Sequence, residues 1–106
     1  QQLWRTLLQD LDTLNRSSTT MTVAEIATQL QYLQDQFILP LSQARMAFLV
    51  RSDSQQGVER LTAFSRGELW INRAQSTAGD QHKEETLAAL SWAVESFQEV
   101  QNLFSN

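Results

Sequence analysis

The chain has no cysteine, one proline, three glycines, one histidine and one lysine. Each scarcity excludes something. Without cysteine there is no disulfide, no thiolate metal site and no cysteine nucleophile. Three dispersed glycines, Gly57, Gly67 and Gly79, cannot form the glycine-rich loop that cradles a nucleotide phosphate. The G-x-S-x-G elbow of serine hydrolases is missing as well. No apolar run approaches the roughly 20 residues of a membrane-spanning helix. The arginines are scattered and the net charge is −4, which argues against nucleic acid, whose phosphates call for a basic patch.

What is present is helical periodicity. At 106 residues the chain is one domain with a thin core. Trp4, Leu7, Leu11 and Leu14 predict a first helix over about 2–16. Ser17 to Thr20 break that pattern with small hydroxyl residues. Thr22 and Glu25 fit a capping box, with Met21 and Ile26 placed for a hydrophobic staple, so a second helix starts there. Ile26, Leu30, Leu33, Phe37, Leu41, Ala44 and Phe48 give it one apolar stripe running to about residue 52. Pro40 falls inside it, and the phase continues across the proline, which predicts a kink rather than a break.

A third helix is expected after Asp53, with Gln56 closing its cap, Val58, Leu61, Phe64 and Ile71 on one face, and Ala63, Gly67, Trp70 and Ala74 on another. Gly67 in a helix interior predicts a close neighbour. Ser76 to Asp80 read as a loop with Asp80 as the next N-cap. A fourth helix follows from about Gln81 to Phe104, striped by Leu87, Leu90, Val94, Phe97 and Phe104. No strand alternation competes. The expected fold is all-α, a four-helix bundle-like domain with a long, Pro-kinked second helix. That helix outruns the first, so part of it overhangs or is covered by helices three and four alone.

Catalysis finds little support. His82 lies near Asp80, Glu84 and Glu85, but a first-turn histidine among acids suits a solvated helix start better than a metal site. Serine–histidine chemistry needs a base held against a nucleophile, and nothing gathers such groups. The expectation is therefore no enzyme, no cofactor and no metal. The residues that stand off the core stripes are Tyr32, Leu39, Met46, Trp70 and Trp92, with Val50 beside them. Large amphipathic rings away from a core are enriched at protein interfaces. These five are the candidate interface, for a protein partner or a second copy.

The order Trp4, Arg16, Tyr32–Leu33, Asp35–Gln36 and Trp70–Ile71 resembles the C-terminal region of HemX-type proteins, bacterial inner-membrane proteins related in architecture to mitofilin. The resemblance runs to about Leu90, with extra length between Phe48 and Trp70. It differs in having only Asn15–Arg16 where the family carries an arginine run, and in Pro40. It implies an extracytoplasmic helical portion of a single-span protein, on the periplasmic side of the inner membrane, excised here from its anchor. The methyltransferase label attached to that family is not carried over, because that activity needs an α/β cofactor fold. The rival expectation is a ligand-sensing four-helix domain of a transmembrane receptor or sensor kinase, with a small-molecule pocket that could use Arg45 or Arg73.

Overall fold

A computed structural model describes residues 2–50 and 54–105. The elements in order are α1 (Gln2–Ser17), a 3-10 turn (Ser18–Thr20), α2 (Val23–Leu33), a π-helical segment (Gln34–Ile38), α3 (Leu39–Gln43), a second π segment (Met46–Val50), α4 (Ser54–Gly79) and α5 (Lys83–Ser105). No strand occurs among the described residues. α2, α3 and the π segments run end to end as one rod, so four rods make the bundle. Around it, α1 packs on α2 and α5, and α4 packs on α2 and α5. The body measures 42 × 21 × 20 Å.

α1 buries Trp4, Leu7, Leu11 and Leu14, the expected stripe. At the start of α2 the Thr22 side-chain oxygen accepts the Glu25 N–H at 3.1 Å, and the Glu25 carboxylate accepts the Thr22 N–H at 2.8 Å. This is the expected capping box, and it satisfies donors that a helix start otherwise leaves open.

Pro40 is accommodated differently from a simple kink. The chain becomes π-helical over Gln34–Ile38, and the Leu39 N–H reaches back five residues to the Gln34 carbonyl. A proline ring crowds the carbonyl four residues earlier, here Gln36, and supplies no N–H. A wider turn just ahead of the ring relieves that crowding, and Pro40 sits in the first turn of α3, where its missing donor costs least. A second irregularity follows at Ala44, whose φ of −99° and ψ of 14° leave the helical region. It leads into the second π segment.

Each π turn holds one residue more than an α turn, so the buried face slips by one position. The result is two buried pairs, Phe37 with Ile38 and Phe48 with Leu49. Ile38 and Leu49 lie off the predicted stripe and are nonetheless fully buried, whereas Ala44, predicted inside, is exposed.

α4 buries Arg60, Ala63, Phe64, Gly67, Ile71, Ala74 and Ala78. Val58, expected inward, is exposed because Arg60 takes the inward position at that end. A Cβ on Gly67 would lie 2.6 Å from Cε1 of Phe97, so the close neighbour is an aromatic ring of α5. One on Gly57 would lie 2.8 Å from the Cα of Val50, so there it is backbone that approaches. The Asp53 half of the expected cap, and the end of the second helix at residue 52, lie outside the described residues.

The expected loop at Ser76–Asp80 is instead helical through Gly79, the end of α4, with Asp80 in the turn that follows. The His82 N–H bonds the Thr77 carbonyl at 2.9 Å and the Gln81 N–H bonds the Ala78 carbonyl at 3.0 Å. That pair defines a Schellman stop. Its left-handed residue is Gln81, with φ of 64°, rather than Gly79. Asp80 therefore belongs to the turn that ends α4, and His82 takes the position before α5 that was expected of Asp80.

Candidate interaction surface

The core has two chemically different ends. At one, Trp4 from α1 meets Phe48 at 5.4 Å, Phe97 at 6.0 Å and Phe64 at 6.3 Å between ring centroids. Phe104 closes on Phe48 at 5.5 Å. The Trp4 indole N–H donates to Gln101 Oε1 at 2.7 Å, which satisfies its one polar atom. The end of the long rod is thus covered by α1 and α5 together with α4, not by the last two rods alone.

Arg60 lies buried beside this cluster, with its Nε donating to the Leu49 carbonyl at 2.7 Å and its guanidinium 4.6 Å from the Phe104 ring centre. Longer contacts reach the carbonyls of Leu103 and Val50. A cation set on the last carbonyls of a helix complements their partial negative charge. By composition Arg60 is only one of the scattered arginines. The signal that sets it apart is its phase, four residues before Phe64 and seven before Gly67.

The five candidate interface residues fall into two groups. Tyr32, Leu39 and Met46 are exposed along the second rod at seven-residue spacing, by 52%, 48% and 64%. The Tyr32 ring meets Phe37 edge-on at 6.0 Å, so it is partly anchored. Trp70 and Trp92 come together across α4 and α5, with rings 6.1 Å apart and 26° from parallel. Trp70 is half-buried against the core and Trp92 is 50% exposed. The Arg73 guanidinium stands 5.9 Å from the Trp70 ring centre. The two indoles, Arg73, Glu85 and Ala88 line a groove of about 170 Å³. Leu69, one residue before Trp70, is 60% exposed.

Below the indoles Arg66 pairs with Glu99 at 2.9 Å across the same two helices. Ser96, one turn beyond Trp92, is buried and donates to the Trp92 carbonyl at 2.9 Å. A separate groove of about 310 Å³ lies between α1 and α2, lined by Asp10, Thr13, Gln29 and Tyr32 among others. Neither Arg45 nor Arg73 lines it.

His82 Nδ1 lies 3.6 Å from Glu85, and both are exposed. Among the described residues, no group of three or more His, Cys, Asp or Glu is placed to hold a metal ion. Among the described residues, Glu25 is the one whose acidity is clearly moved. The Thr22 backbone N–H, then the Thr22 side chain, holds its carboxyl below the ordinary value. That is cap chemistry and belongs to stability.

No protein-family model, curated protein or solved structure matches this chain.

Proposed function

We propose that this chain is a helical protein-docking domain without a catalytic role. The observation that carries the reading is the stacked Trp70–Trp92 pair, in which Trp70 rests on the edge of the core and Trp92 is left half exposed. A tryptophan left in water forgoes the burial that makes it valuable, and such rings anchor interfaces when a partner covers them. The Tyr32–Leu39–Met46 row offers a second contact along the long rod. The HemX-type resemblance adds a setting, the periplasmic side of a bacterial inner membrane, with the anchor in another part of the protein. No helix among the described residues is itself long and apolar enough to cross a membrane.

The test is site-specific photo-crosslinking in the full-length protein, in its own cells. A photoreactive residue at position 92 is expected to give a discrete adduct, and one at exposed Asn72 on the outer side of α4 is not. Equal labelling from both positions, or none from position 92, counts against docking.

The groove between α1 and α2 favours a second reading, a ligand-sensing domain. Its volume is at the lower end of what a small molecule needs. A Tyr32→Ala variant that loses a bound metabolite, while keeping the position-92 adduct, would support that reading.

A further inference from the structure

We infer that the partner of the α4/α5 face is a second copy of this chain, packed so that α4 of each copy lies over α5 of the other. This rests on the docking reading above and names its occupant.

Charge is the first argument. On this face α4 contributes Arg66 and Arg73, and α5 contributes Glu85 and Glu99. Over the stretch from Arg66 to Arg73 cations thus stand on the α4 side of the indoles and carboxylates on the α5 side, with Glu59 lying on α4 beyond that stretch. A two-fold axis parallel to the helices, lying in the plane of the face, brings each cationic side over a carboxylate side. Placing α4 on α4 would instead oppose like charges, which is costly across an interface. A surface that matches itself under a two-fold axis is what an isologous dimer requires.

Register is the second argument. The Arg66–Glu99 ion pair shows that these residues sit at one height on neighbouring helices. The axis preserves height, so Arg66 of one copy arrives over Glu99 of the other. Two exposed pairs of small value then become one four-charge ring, the arrangement in which surface ion pairs matter. Along the antiparallel pair Leu69 lies about one turn from that level and Trp92 about two turns in the same direction, so Leu69 arrives within about one turn of the other copy's Trp92. Both side chains are half or more exposed in the single chain, and each would cover the other.

Area is the third argument. A stable interface takes about 800 Å² from each partner. A long face of a 42 × 21 × 20 Å body offers that much.

Sedimentation velocity over a concentration series is the decisive measurement, with circular dichroism as the check on folding. The wild type is expected to shift from monomer to dimer. Trp92→Glu and Leu69→Glu, both at exposed positions, should keep the helical signal and weaken dimerisation about a hundredfold. The absence of native cysteine makes geometry testable. An equimolar mixture of Leu69→Cys and Trp92→Cys chains should oxidise to a mixed dimer faster than Leu69→Cys alone. Arg66→Glu with Arg73→Glu should abolish self-association, as should Glu85→Arg with Glu99→Arg, and mixing the two double variants should restore it. A chain that stays monomeric at millimolar concentration overturns the inference. So does a Leu69→Cys chain that links to itself faster than to its Trp92→Cys counterpart. A monomer whose position-92 adduct contains a different protein overturns self-docking and leaves the docking reading intact. Loss of the adduct altogether removes both.

Discussion

The two ends of this bundle are closed in different ways. One is packed with rings from four rods and sealed by a buried arginine, through contacts between residues far apart in sequence. The other is packed with Leu14, Ile26, Leu30, Ile71, Ala74 and Ala89, and closed by caps and turns local in sequence, with the Lys83–Thr19 bond as a tie across them. There the capping box closes α2, the Schellman turn closes α4, and a hydroxyl pair between Thr77 and Thr86 at 2.8 Å joins the hairpin. Local closure tolerates small residues and close helices. Long-range closure needs large side chains that fit one another, and it is correspondingly sensitive to shape.

The largest expected effect lies at the aromatic end. Phe97→Ala should cost about 3–5 kcal/mol by chemical denaturation. Gly67→Ala should cost about 1–3 kcal/mol, because its new methyl group meets the Phe97 ring. The double variant should lose clearly less than the sum, since removing the ring makes room for the methyl group. Strict additivity would show that Gly67 and Phe97 do not share a packing constraint.

Next comes Arg60→Ala, expected to cost about 2–3 kcal/mol because the Leu49 carbonyl loses its charged donor in a buried setting. Hydrogen exchange should show the loss concentrated in the second π segment and leave α2 protected. Uniform loss would mean that the two ends are not separable.

At the aliphatic end the changes are smaller. Gln81→Gly should stabilise the chain by about 1 kcal/mol by removing a left-handed Cβ, which raises the melting temperature by about 4–8 °C. The smallest effect is acid sensitivity of the α2 cap. The folded-state Glu25 carboxyl is held below its ordinary value near 4.5, so its contribution is present above that pH and fades as pH falls through the lowered value. Glu25→Gln keeps an acceptor for the Thr22 N–H and should flatten that part of the acid limb. An unchanged acid limb would place the titration elsewhere.

The same division explains what could be read from the residues alone. Thr22–Glu25, the α1 stripe and the all-α class follow from spacing within a few residues, and those expectations match the fold. The π slips did not show, because the cost of Pro40 can be met by a bend, a break or an extra residue per turn, and spacing alone does not choose. Once one residue was added, Ile38 and Leu49 turned inward and Ala44 turned out. Gln81 was hidden because Gly79, two residues earlier, is the expected residue for a left-handed stop. The Trp70–Trp92 contact joins residues 22 positions apart across a hairpin whose turn length sets their alignment, and the misplaced loop concealed it.

Lys83 donates to the Thr19 carbonyl at 3.0 Å, which ties the start of α5 to the link between α1 and α2. As the sole lysine in the sequence, it gives amine-reactive reagents one side chain to modify. A dye or acetyl group placed there removes the ammonium charge from that clasp, so the stability lost on labelling measures what the clasp contributes. The molecule thus carries its own reporter, at the opposite end of α5 from Phe104.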